Sequence, residues 1–147
     1  MEHKIDICLE KDNKFTDFLH QKIKDYNNKH SPHHRRIREK EAIRPINIIV
    51  SDNDNNWIGG LSAEVYWGWL EVDYFWICEK HRGKGLGRRI LIEAEMVGKE
   101  KGATKALLTT FEFQARSFYE MNGYQVAGEI EGYPPGSNYC MMVKSLL

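Results

Sequence analysis

Two carboxylates two residues apart, Glu71 and Asp73, lie in the aromatic-rich apolar run WLEVDYFWI, residues 69–77. Shortly after it come three glycines at alternate positions, Gly83, Gly85 and Gly87. A carboxylate in apolar surroundings, or beside another carboxylate, holds its proton more tightly than a free one and can take a proton from an ammonium near neutral pH. Period-two alternation places Trp69, Glu71, Asp73 and Phe75 on one face of a strand, and Leu70, Val72, Tyr74 and Trp76 on the other. The glycines precede a segment with apolar residues at Leu86, Ile90, Leu91, Ala94 and Val97, the spacing of a helix. Strand, glycine loop and helix together gather unpaired N–H groups at the positive end of a helix dipole, which suits a pyrophosphate. Plainer readings stay open at this point: a wet sheet face for the carboxylates, and a packing turn for the glycines.

Two other phosphate loops fail on their letters. A Walker loop needs Gly-Lys-Ser/Thr, and Gly87 is followed by Arg88 and Arg89 with no hydroxyl for magnesium. A dinucleotide loop needs G-x-G-x-x-G and an acid about 20 residues on, where Lys105 stands. Arg82-Gly83-Lys84-Gly85-Leu86-Gly87 instead matches the R/Q-x-x-G-x-G/A signature of the GNAT acyltransferases. Ala115 to Tyr124, ARSFYEMNGY, matches the A-x-x-[LF]-Y-x-x-x-G-[FY] segment that follows at that family's usual distance. The chain resembles a GNAT protein on these two ordered motifs, firmly from Trp57 to Tyr124.

The resemblance implies acetyl transfer from acetyl-CoA, a co-substrate, to a primary amine, without a metal. It implies that Arg82, Gly83, Lys84, Gly85, Leu86, Gly87 and Arg88 hold the pyrophosphate. Two central strands would splay, with the backbone of Ile77 and Cys78 meeting the pantetheine arm and an Ile77 or Cys78 N–H polarising the thioester carbonyl. Glu71, eleven residues before Arg82, stands where the histone-acetylating branch carries its base, with Asp73 as runner-up. Tyr119 would serve the leaving thiolate; a core tyrosine beside Phe118 is the plainer reading. The chain departs from the family at Glu79, often Pro, and at Glu112, often an Asn that contacts the pantetheine. Glu112 and Gln114 are therefore open as cofactor contacts, and Cys78 reads as a small buried hydrophobe rather than an acyl carrier.

At 147 residues the chain is long enough for one domain with a proper core, residues 1–147. Lys+Arg and Asp+Glu both number 21, so no general attraction to nucleic acid or anionic membrane is expected. Cys8, Cys78 and Cys140 are too few and too scattered for a disulfide framework or zinc site. No apolar run approaches a membrane span, and a reducing, cytoplasmic setting follows, with room for a homodimer. His30, His33 and His34 lack a Cys or acidic partner at ligand spacing and read as a solvated face. Asp52, Asp54 and Asn56 echo a calcium loop, but Trp57 and Ala63 stand where Gly and Glu are needed, so this is a hairpin turn.

The elements that must position these groups can be read in order. Lys4 to Leu9 alternates as a short strand, and Asn13 caps a helix with the stripe Phe15, Phe18, Leu19, Ile23 and Tyr26. Ser31-Pro32 starts a second helix through the basic segment to Arg44. Strands follow at Pro45–Ser51, Trp57–Tyr66 and Trp69–Cys78. The glycine-loop helix ends before Gly102, and a strand follows at Ala103–Thr110. A helix spans Ala115–Asn122, with strands at Tyr124–Ile130 and Asn138–Lys144 around a Pro134-Pro135-Gly136 turn. The expected fold is mixed α/β: about seven mostly antiparallel strands with a central splay, flanked by about four helices. Rigid and aromatic through Tyr133, the last loop could wall the acceptor pocket. Glu71, Asp73 and Glu112, with Trp67 and Trp69, suit a cationic acceptor, a small molecule or a peptide amine. Function classes to separate are this acetyltransferase, a non-catalytic acyl-CoA-binding or sensing module, and a plain nucleotide-binding domain.

Overall fold

A computed structural model describes residues 1–147. The chain divides into two compact units, Met1–Glu39 and Lys40–Leu147.

The first unit holds α1 (Asn13–His30) and α2 (Pro32–Arg36). The cap of α1 is Asp12, one residue before the expected Asn13; its carboxylate accepts from the Phe15 N–H at 3.0 Å. Ser31 and Pro32 act as expected: the Ser31 hydroxyl accepts from the His34 N–H at 3.2 Å and Pro32 opens α2. That helix stops after five residues instead of reaching Arg44. Its run of adjacent cations has no apolar stripe to bury, and a turn of helix without such a stripe is not self-sustaining. Lys4 to Leu9 is not a strand, and residues 1–9 are exposed. Alternation alone does not form a strand, because the backbone groups need a neighbouring strand to bond.

The second unit is a six-stranded sheet with two helices. Its strands are β1 (Arg44–Ser51), β2 (Trp57–Tyr66), β3 (Trp69–Ile77), β4 (Lys105–Phe111), β5 (Gln125–Glu131) and β6 (Asn138–Ser145), in the order β1-β2-β3-β4-β6-β5. Six strands form, not seven, because the N-terminal one is absent. Every neighbouring pair is antiparallel except β3 and β4, which α3 (Leu86–Glu100) connects in parallel. The short helix α4 (Arg116–Met121) joins β4 to β5.

The apolar stripe of α3 is the one read from its spacing: Ile90, Leu91 and Ala94 are buried in one core cluster with the inward residues of the sheet, Ile46 of β1, Val65 of β2 and Leu70 of β3 among them. Gly98 completes that stripe, and a Cβ there would come within 3.3 Å of the Leu70 side chain. After α3 the Gly102 N–H bonds to Lys99 O at 3.0 Å and the Ala103 N–H to Gly98 O at 2.9 Å, with Gly102 at φ 97°. This paired closure occupies Ala103, so β4 starts at Lys105, two residues after the expected Ala103.

Candidate active site

β3 and β4 are paired only from Trp69↔Lys105 to Glu71↔Leu107. Beyond Glu71 both strands continue, to Ile77 and Phe111, without pairing with each other. The cause lies in β3. Its register with β2 runs Val72↔Ala63 and then Tyr74↔Ser62, so Asp73 has no partner and forms a β-bulge. An extra residue bends its strand and strengthens the local twist, which turns β3 away from β4.

The bulge also resets the alternation. Leu70, Val72 and Phe75 lie opposite Val65, Ala63 and Leu61, all buried, so Phe75 joins the core side. Tyr74 lies opposite Ser62, on the face of Glu71 and its partner Glu64. The expected division, with Phe75 beside Glu71 and Tyr74 opposite, is therefore corrected past Asp73. The two carboxylates nonetheless meet, with Asp73 in hydrogen-bonding reach of Glu71.

Backbone direction decides which groups the opening offers. The Cys78 N–H donates to Ile58 O at 2.8 Å, so Cys78, Trp76 and Tyr74 turn their backbone groups to β2, and Ile77 and Phe75 turn theirs to the opening. The Ile77 carbonyl accepts from Arg82 Nε at 2.7 Å. What remains toward the splay is the Ile77 N–H and both backbone groups of Phe75. Cys78, expected to contribute, is engaged with β2, whereas Phe75 was not anticipated. Only the strand register reveals it. Across the opening, the Gln114 side chain accepts from the Phe111 N–H at 3.1 Å. Glu112 stands 3.8 Å from Arg116, which also binds Glu120 at 3.1 Å and Glu129 at 3.0 Å, so these acids anchor α4.

At the far end of β3 the three glycines divide into two kinds. Gly83 and Gly85 have φ of 76° and 81°, and Gly85 caps α3 without any side-chain hydrogen bond. The first intrahelical bond there is Arg89 N–H to Gly85 O at 3.2 Å, which leaves the N–H groups of Leu86, Gly87 and Arg88 without a helical acceptor. Nothing lies within 4 Å of a Cβ built on Gly83 or Gly85, and Lys84 and Arg88 are exposed beside them. Free N–H groups, a helix dipole and exposed cations fit a pyrophosphate. Gly87 differs, since its Cβ would fall 3.2 Å from Ile77 Cδ1 and 3.3 Å from Phe118 Cζ. It seats α3 against β3 and α4. Arg82, through Ile77, ties the loop to the strand.

At the near end, Tyr66 donates its hydroxyl hydrogen to Glu71 Oε2. Although Asp73 keeps much of its surface open, partial burial, then the Glu71 and Glu64 carboxylates, push its carboxyl above the usual range. Burial and the bond to Glu71 likewise push the Tyr66 phenol up, keeping it protonated. Lys105 of β4 holds its ammonium 5.3 Å from the Trp69 ring centre.

Tyr119 is 7% exposed, and burial alone pushes its phenol up to about 12. Its ring packs edge-on to Phe118, Tyr124 and Phe75 at 5.3, 5.7 and 6.4 Å. Through Phe75 it borders the splayed part of β3. Behind it, buried Glu95 of α3 accepts from the Tyr124 hydroxyl at 2.8 Å and Lys144 Nζ at 2.9 Å, fixing helix, sheet and the chain after α4 together. Beside the end of β4, Tyr133 lies 6.2 Å from the Phe111 ring, and Glu112, Phe113 and residues 134–137 line a shallow depression. No group of three or more His, Cys, Asp or Glu could hold a metal ion, all three cysteines are free, and no helix is long and apolar enough to cross a membrane.

Comparison with known proteins bears on the family and the fold. The blasticidin-S acetyltransferase of Streptomyces morookaense is 34% identical over 131 residues, covering 85% of this chain and 96% of that protein. A crystal structure of an acetyltransferase from Bacillus cereus superposes with a TM-score of 0.78 at 26% identity, over 95% of this chain and 97% of the other. A crystal structure from Bacillus anthracis in complex with acetyl coenzyme A, assigned by name to the streptothricin acetyltransferases, shares the fold at a TM-score of 0.58 and 21% identity over 66% of this chain and 60% of its own. The family model of the acetyltransferase (GNAT) family matches residues 15–124. With its splayed strands and glycine-capped helix, the chain belongs to the GNAT acetyltransferase family.

Proposed function

We propose that this protein transfers the acetyl group of acetyl-CoA to a primary amine of a small, cationic molecule by direct attack. The observation that carries the reading is the β3 opening itself. From Asp73 to Ile77 it spans four steps of strand, about 13 Å at roughly 3.3 Å per residue, with proton-accepting chemistry at one end and an anion cradle at the other. Such a slot suits an extended arm whose reactive end lies by the carboxylates and whose phosphates reach Gly83, Gly85 and α3.

In the reaction the amine first loses a proton to the Glu71–Asp73 pair, directly or through water. The freed nitrogen lone pair attacks the thioester carbonyl, whose oxygen takes a hydrogen bond from a backbone N–H on the open edge, Phe75 or Ile77. As the C–S bond breaks, Tyr119 offers its hydroxyl to the sulfur. Burial pushes the phenol up to about 12, well above a thiol at about 8.5, so outright transfer would run uphill and Tyr119 acts by a hydrogen bond that strengthens as charge develops. The second nitrogen proton ends on the thiolate, giving amide and free CoA.

An acidic cluster of Glu64, Glu71 and Asp73 flanked by Trp69 favours a cationic acceptor, and the match to a blasticidin-S acetyltransferase along nearly its whole length favours a small molecule over a peptide. The test is a thiol-release screen over amines with acetyl-CoA, products identified by mass spectrometry. Equal amounts of free CoA and acetylated amine are expected. Tight acetyl-CoA binding with no thiol release on any amine would point instead to a non-catalytic acyl-CoA-binding module.

A further inference from the structure

We propose that Tyr66 is a positioning residue that holds Glu71 as an anion, so that Asp73, the bulge residue, accepts the amine proton. The inference rests on the acetyl-transfer reading above and divides the labour between its two carboxylates. Tyr66 is the last residue of β2 and lies opposite Trp69, at the start of the β2–β3 hairpin. Its hydroxyl crosses to Glu71, and its ring is braced edge-on by Trp67 at 5.1 Å. A phenol bonded to a carboxylate stabilises the charged form of that carboxylate. Glu71 thereby becomes a fixed negative charge beside Asp73 and directly opposite Glu64.

The bulge gives Asp73 its separate character. It has no cross-strand partner, lies where β3 turns from β4, and stands at the mouth of the opening two residues before Phe75. Within the unit Lys40–Leu147 the groups facing Glu71 are Tyr66 and Glu64 from β2, Asp73 from β3 and, from β4, Lys105 above Trp69. Asp73 is therefore the carboxylate with two anions as neighbours and no donor of its own. It takes the first ammonium proton into a carboxylate lone pair and releases it to water after amide formation; the N–H bond breaks, its electron pair stays on nitrogen, and no oxidant or reductant is involved.

The experiment is a pH profile of kcat/KM for wild type, Tyr66→Phe, Glu71→Gln and Asp73→Asn, using acetyl-CoA and the best amine from the screen. In parallel, carbon NMR follows the side-chain carboxyls of the free protein through the same pH range. Activity should fall on the acid side as Asp73 is protonated. Tyr66→Phe frees Glu71 to take up a proton, so Asp73 loses part of its anionic neighbour and the limb should move down, toward that of Glu71→Gln, by up to roughly one pH unit, with the melting temperature near wild type. Glu71→Gln should move the limb down and keep it, and Asp73→Asn should abolish it. A limb that survives Asp73→Asn and vanishes in Glu71→Gln makes Glu71 the base and overturns the proposal. So does a limb unmoved by Tyr66→Phe. If no amine is acetylated, the acetyl-transfer reading is what fails, and the NMR titration of the free protein alone decides whether Tyr66 sets the charge of the pair.

Discussion

The two ends of β3 are built on opposite principles. At Gly83–Arg88 the chemistry belongs to the backbone: left-handed glycines, unpaired N–H groups and a helix dipole, all within one stretch of chain. At Glu71–Asp73 it belongs to side chains brought together by register, Tyr66 and Glu64 from one strand and a bulged Asp73 from the next. A site made of local backbone can bind firmly without any neighbour. A site made of register can have its proton affinities set by neighbours. The first suits holding a cofactor and the second suits catalysing a reaction.

Breaking the carboxylate end should cost the most. Asp73→Asn removes the proposed proton acceptor, and general-base contributions of about 10²–10⁴-fold in kcat set the expected loss. Stability should move the other way. A carboxyl whose folded pKa lies above its unfolded value carries a penalty that appears as pH rises through that interval and persists above it. Asp73→Asn should therefore melt higher than wild type near neutral pH and no differently well below the ordinary carboxylate range. Thermal melts at the two pH values check this, and a variant less stable at neutral pH would mean Asp73 is held by partners that favour its charge.

Next in size is Tyr119→Phe, which leaves the ring packed on Phe75 and Tyr124. Losing a hydrogen bond to a developing charge should lower kcat by roughly 10–100-fold with KM for acetyl-CoA nearly unchanged. Steady-state kinetics with unaltered kcat would reduce Tyr119 to a packing residue. At the cradle end, Gly85→Val forces a branched side chain into the left-handed region and across the approach to the N–H groups, so CoA affinity should weaken about tenfold while the fold persists. Smallest is Gly87→Ala. Its new methyl presses on Ile77 and Phe118, so calorimetry should find CoA affinity within about twofold of wild type while the melt shifts by a few degrees.

The same contrast explains what could be read from the chain alone. The glycine loop, the stripe of α3, its closure at Gly102 and the helix carrying Tyr119 are local patterns, and each formed close to where it was expected. The bulge at Asp73 was not legible, because alternation in one strand carries no record of its partner; it moved Phe75 to the core and Tyr74 to the acidic face. Phe75 as a source of open backbone groups, and Cys78 as an engaged one, depend on the same register. Lys4–Leu9 shows the converse: its alternation is real, but its own unit, Met1–Glu39, contains no strand to pair with.

The separation of holding from reacting along β3 is tested most directly by measuring CoA affinity by calorimetry and kcat at saturating acetyl-CoA in Gly85→Val and Asp73→Asn together. Gly85→Val should lose affinity and keep kcat within a few-fold, and Asp73→Asn should keep affinity and lose kcat by about 10²-fold or more. An Asp73→Asn protein that no longer binds CoA, or a Gly85→Val protein that binds it as tightly as wild type, would contradict the account.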